Sequence, residues 1–232
     1  PKAFFDAMEA LQFASRNEPE CGLVWSLLSR LYATNYGLEL FDVATPIDKA
    51  LEFAQTGVKL DPANQRTHLI LAYALMLADE LEAARAEAER SFDLNQGSLI
   101  LLDNIGYMLT LLGDWERGPA LVRKAVDINP HYNAVVHHAF WLDLFRKQDY
   151  RQAYLETLSF RTPTLFWDPL IIAATLGQLG RIRKGRRAAD KLLKLKPDFV
   201  RRGSVLIRRF VKFDEIVEGL IVGLRHVGID VV

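Results

Sequence analysis

Apolar residues in this chain recur at steps of three and four, the period of amphipathic helices, and no stretch shows the strand-and-glycine-turn pattern. The clearest stretch is Leu99–Tyr132. It predicts a helix over 99–112, a turn at Gly113-Asp114, a second helix over 115–128, and an end at Asn129-Pro130. The first helix carries Ile105, Gly106 and Leu109; the second carries Gly118, Val122 and Ala125.

With Leu99 as position 1, large residues are wanted at positions 4, 7 and 11. Small ones are wanted at 8, 20 and 27, and a proline near 32. Two helices cross closely where residues are small, and large residues fill the space to the next pair. The same register predicts five units: 22–64, 65–98, 99–132, 133–165 and 166–198. A lone helix over 1–17 precedes them, and residues 199–232 read as two closing helices. Unit 22–64 keeps register only if nine extra residues sit around Asn35–Pro46, as a longer first helix or a flap. The fourth unit runs one residue irregular before Pro163. Helices over 199–211 and 213–227, with a stop at Gly228, are placed to cover the last unit's apolar face.

Half of the residues are hydrophobic and a quarter charged, as expected of a folded chain. The longest apolar runs are too short to span a membrane. A single cysteine, Cys21, excludes an internal disulfide and fits a reducing, cytoplasmic setting. The chain opens at Pro1 rather than Met, as expected of a piece of a longer protein. The formal net charge of zero conceals an asymmetry: residues 181–212 hold 13 Lys/Arg against 2 Asp/Glu, and residues 1–180 hold 15 against 23.

The 34-residue pattern over residues 1–198 resembles the tetratricopeptide repeat. That resemblance implies an all-α fold: a right-handed α-α superhelix of about five helix-turn-helix repeats with a C-terminal capping helix pair. It also implies that positions 2, 5, 6, 9 and 12 of each first helix line a concave wall. On that wall would stand Arg30, Arg66, Tyr73, Asp103, Asn104, Tyr107, His137, His138, Trp141 and Trp167, with Ile100 among the apolar members. Aromatic rings and amides suit a peptide or partner helix. The alternative is that Tyr73, Tyr107 and Trp141 pack between neighbouring helices or receive the chain's own termini. A chaperone-type carboxylate clamp is disfavoured, since Asn104 has no lysines beside it and Asp103 adds repulsion.

No catalytic constellation emerges. The glycines of LGQLGRIRKGRR (176–187) lack a phosphate-loop ending. His137 and His138 are adjacent and point about 100° apart on a helix, so they cannot share a metal. No metal, cofactor or enzymatic activity is expected within this chain. The basic face (Arg183, Lys184, Arg186, Arg187, Arg201, Arg202, Arg208 and Arg209) reads as a solvated face or a dock for an acidic neighbour. Nucleic acid is the less favoured reading, since aromatics are not interleaved.

The ending carries a second resemblance. LLKLKPDF (192–199), RRF (208–210) and FDEIVEGLIVGLRHVGI (213–229) look like the tail of bacterial tetratricopeptide arrays that follow a class III adenylate cyclase or winged-helix domain. Glu218-Gly219-Leu220 and Val227-Gly228 carry the match, with Val227 where alanine is common. It implies a signalling role in which any cyclase activity lies upstream. The expectation is therefore a non-catalytic scaffold binding a protein segment, or its own upstream effector domain, with a homodimer also open.

Overall fold

The structure is a computed structural model that describes residues 2–96, 101–129, 132, 134–160, 162 and 164–232. Leu99, Ile100, Pro130 and Pro163, which the sequence placed in the repeat pattern, lie outside the described residues. The described residues form thirteen α-helices and no strand, an α-α solenoid divided into two compact units, 1–112 and 113–232.

The first unit holds α1 (Lys2–Asn17), α2 (Gly22–Leu38), α3 (Pro46–Leu60), α4 (Gln65–Leu77), α5 (Leu81–Leu94) and α6 (Leu102–Leu111). Helices α2 and α3 pair, as do α4 and α5, and each pair stacks on the next first helix. The small positions explain the close crossing. A Cβ on Gly57 (position 27) would overlap Ser26 Oγ, and one on Gly22 would crowd the Gly57 carbonyl. Ala50 and Ala84 at position 20 are fully buried. The nine extra residues resolve into both alternatives: α2 runs on to Leu38, and a short loop follows. Asn35 fastens that loop by accepting from the Phe41 N–H (2.9 Å) and donating to its carbonyl (3.0 Å). The Phe41 ring then rests on Phe4 and Phe5 of α1, with centroids 4.7 and 5.0 Å away.

The second unit holds α7 (Arg117–Ile128), α8 (His137–Arg146), α9 (Tyr150–Glu156), α10 (Trp167–Gln178), α11 (Ile182–Leu195), α12 (Phe199–Phe210) and α13 (Asp214–His226). Helix α7 starts two residues later than Trp115, with Glu116 at its N-cap, and the Asp114 carboxylate in the preceding turn accepts from the Arg117 N–H (2.9 Å). Helix α6 begins at Leu102, with Leu101 at its N-cap. Helix α9 is short and passes into a 3-10 turn at Thr157–Ser159, where Thr157 Oγ1 donates to the Tyr154 carbonyl.

The turns that follow α4, α6, α8 and α10 share one device. Asp79, Gly113 and Gly180 all stand at position 15, and all have positive φ (63°, 86° and 67°). Gln148 (φ 59°) does the same one position later, matching the irregular fourth repeat. After Asp79, Gln148 and Gly180 the next N–H reaches back to Leu75, Leu144 and Leu176 carbonyls, closing each first helix with a left-handed cap. Two glycines take this conformation without steric penalty; Asp and Gln are held in it by the cap.

Candidate functional site

The predicted wall is realised differently in the two units. In the first, position 9 of successive first helices carries Arg30 on α2, Tyr73 on α4 and Tyr107 on α6. Arg30 is exposed, both tyrosines are half-buried, and among the described residues no carboxylate pairs with Arg30. Burial pushes the Tyr73 phenol up to about 12, although Arg30 and Thr34 beside it pull the other way. Burial also raises the Tyr107 phenol, with Tyr73 adding to the rise. Both are therefore neutral at physiological pH, and each hydroxyl has a proton to donate. Asp103 and Asn104 stand near the start of α6, both half-buried. Asp103 Oδ1 accepts from the Asn104 backbone N–H and side-chain amide, each at 2.7 Å, so the two are tied to one another. Arg66 is exposed at the start of α4, at the rim of an open cleft of about 460 Å³ that Asp61, Asn64 and Asn95 also line. Asn64 caps that helix by accepting from the Arg66 N–H.

In the second unit the wall is filled. Trp141 is 2% exposed, and its indole N–H donates to Thr175 Oγ1 at 3.0 Å. Trp167 is also buried, edge-on to Phe210 with centroids 5.1 Å apart. Both were expected to face a partner; instead they pack inside the repeat, the alternative the sequence left open for Trp141. The last helix lies on this wall. Ala174 and Gly177, at positions 9 and 12 of the fifth repeat, meet the backbone of Gly223 so closely that a Cβ on Gly177 would overlap the Gly223 carbonyl. Gln178 Nε2 donates to the Gly219 carbonyl, and His226 Nδ1 lies 3.2 Å from the Gly177 carbonyl. The ring of Phe213 stacks against Trp115 (4.9 Å), which also carries Arg146 over its face.

The two adjacent histidines are likewise engaged. His137 Nδ1 donates to Glu156 (2.8 Å), and its Nε2 accepts from the Tyr132 hydroxyl (2.8 Å). His138 Nε2 donates to Asp168 Oδ1 (3.1 Å), whose other oxygen accepts from the Thr162 N–H (2.9 Å). Burial works to raise the Asp168 carboxyl. The hydrogen bonds from His138 and Thr162 and the His138 charge outweigh it and hold the group below the usual carboxylate range. His68 makes a third such pair, 2.6 Å from Glu87 and 2.9 Å from the Pro62 carbonyl. Sequence reasoning missed the acceptors. The signal was present, because both His68–Glu87 and His137–Glu156 are spaced by 19 residues. Among the described residues no group of three His, Cys, Asp or Glu side chains is placed to hold a metal ion.

On the basic face, Arg183, Lys184, Arg186, Arg187 and Arg201 are exposed. Arg208 is bridged to Asp214 at 2.6 Å, and Arg202 and Arg209 are half-buried with interactions of their own. No described helix is long and apolar enough to cross a membrane.

No protein-family model matches the chain, and no curated protein sequence matches it. Among solved structures it is similar to a chain of the APC/C hetero-tetramer Cut9–Hcn1 (TM-score 0.67, 12% identity), covering 97% of this chain and 44% of that one. It is also similar to YrrB, a TPR protein with an unusual peptide-binding site (TM-score 0.45, 15% identity; 82% and 94% of the two chains). A third likeness is to MamA (TM-score 0.38, 15% identity; 85% of each). The likeness to the Cut9–Hcn1 chain supports the all-helical α-α solenoid fold; this chain spans less than half of that one.

Proposed function

We propose that the chain is a non-catalytic protein-interaction scaffold that holds a partner segment on the α2–α4–α6 face of its first unit. The observation that carries this reading is the row Arg30–Tyr73–Tyr107. It combines an exposed guanidinium that has no carboxylate partner among the described residues with two half-buried phenols that can donate hydrogen bonds. Arginine and tyrosine dominate binding energy at protein interfaces, because both bury large apolar area and donate directed hydrogen bonds. The corresponding row of the fifth repeat is taken by α13, so the partner segment is assigned to the first unit alone. Such a scaffold works in a cytoplasmic setting.

A displayed peptide library panned on the intact protein tests it. Selected peptides should lose roughly tenfold or more in affinity to Arg30→Ala combined with Tyr107→Ala, the size expected for removing two anchor residues. Helicity should be unchanged. Selection of no peptide, or equal binding by the double variant, would sink the reading.

A second reading, a regulatory module of a nucleotide cyclase or transcription regulator, is supported by the tail sequence alone. Under it, the segment bound on the first unit shifts the equilibrium of an effector domain.

A further inference from the structure

The two compact units carry opposite charge. Residues 1–112 hold 8 Lys/Arg against 16 Asp/Glu, net −8, and residues 113–232 hold 21 against 13, net +8. The separation also follows the repeat register. At position 18, two residues before the first small residue of each second helix (Ala50, Ala84, Ala153 after the one-residue slip, and Gly185), stand Asp48 and Glu82 in the acidic unit and Arg151 and Arg183 in the basic one. At position 22, two residues after the small residues Ala7, Ala50 and Gly185, the acidic unit has Glu9 and Glu52 and the basic one Arg187. All seven side chains are exposed, and among the described residues none has an ion-pair partner. Glu116, in the repeat that the two units share, is the exception at position 18. Helix α11 extends the basic row with exposed Lys184, Arg186 and Lys191, against one exposed acid, Asp190.

We infer that these rows are the two halves of a contact between copies of this chain: the acidic outer helices of one copy dock on the basic outer helices of another. Charge complementarity is the first support. The second is register, since the charges of each row recur about one repeat apart, Asp48 and Glu82 by 34 residues and Arg151 and Arg183 by 32. The third is the overall balance. With a sequence pI near 7.4, no net repulsion opposes the approach of two copies at physiological pH. Each copy presents both rows, so a pair can close by making the contact twice, or copies can add end to end. This surface is separate from the position-9 row and does not depend on the peptide-binding reading.

Sedimentation velocity with the full chain, at about 1 to 200 μM protein and about 20 or 500 mM NaCl, tests it by changing the screening length several-fold. The weight-average mass should rise with concentration to twice 26.4 kDa or more at low salt and return to 26.4 kDa at high salt. Two variants then separate contact from misfolding. Arg151→Glu/Arg183→Glu/Arg187→Glu and Asp48→Lys/Glu52→Lys/Glu82→Lys should each be folded monomers, and mixing them in equal amounts should restore a complex. Lys2→Glu/Lys124→Glu, a charge change off both rows, should assemble as the parent does. A mass of 26.4 kDa at every concentration, failure of the mixture to reassociate, or equal loss in the off-row control would overturn the inference. So would a monomer whose basic row binds duplex DNA instead, with affinity falling steeply in salt.

Discussion

At the scale of single residues, His68, His137 and His138 each meet a carboxylate, and Asp168 is the most exactingly placed of the acceptors. Its lowered ionisation means that the native state favours the carboxylate. The stabilisation is thus fully present above the unfolded-state value of about 3.9 and is lost as pH falls through the lower folded value. Asp168→Asn should therefore cost about 1–3 kcal/mol at neutral pH. The gap from wild type should close as urea midpoints are followed below about pH 4. A gap independent of pH would contradict the assignment. Tyr73 works in the opposite sense: its phenol is raised, so its contribution holds below the unfolded value and is lost as pH climbs through about 12. In an ultraviolet absorbance titration, Tyr73→Phe should remove a late-titrating phenol and leave the early ones in place. Trp141 shows why such side chains are hard to assign from a repeat position alone. Its register is that of Tyr73 and Tyr107, but the Thr175 hydroxyl one repeat later turns its indole into core.

At the scale of elements, α13 decides which wall is open. Ile216, Val217, Leu220 and Leu224 are each at most 1% exposed. Burying four such side chains contributes gross stabilisation of about 6–12 kcal/mol, more than a typical partner segment could displace. The helix is accordingly a fixed part of the second unit rather than a lid. Its amides should exchange with solvent no faster than those of α10, measured by native-state hydrogen exchange; early exchange confined to α13 would show a detachable helix. The contact also depends on glycine. Gly223→Ala should destabilise by about 1–3 kcal/mol or more, since a Cβ there meets the Ala174 backbone. Gly228→Ala, at φ +95° with nothing within 4 Å, adds backbone strain of only about 1 kcal/mol. Equal losses in thermal melts would mean that the crossing is looser than described.

At the scale of the whole molecule, one chain joins a unit of net −8 to a unit of net +8, and the join at Leu112/Gly113 falls inside the repeat that the sequence shows most clearly. Period and compactness are different properties: the period comes from local helix pairing, whereas the division follows how densely each stretch is packed. Separated charge with zero sum has a solution signature. Solubility should be lowest near pH 7.4 at low ionic strength and rise as salt is added. A solubility profile insensitive to salt would mean that the exposed charges are neutralised in place.

What the sequence determined by itself is everything that depends on near neighbours along the chain. That covers the helix pairs, the small residues at positions 20 and 27, the turn at Gly113 and the existence of two further helices after residue 198. Each follows from helical period, side-chain volume or the conformational freedom of one residue. The tertiary structure alone decided which predicted wall residues remain available. That outcome rests on contacts such as Gln178 with Gly219, 41 residues apart, and His138 with Asp168, 30 apart. A single periodic pattern repeats the same position in every unit. It cannot say which copy of that position the chain's own last helix will cover, because that is settled by packing between distant segments.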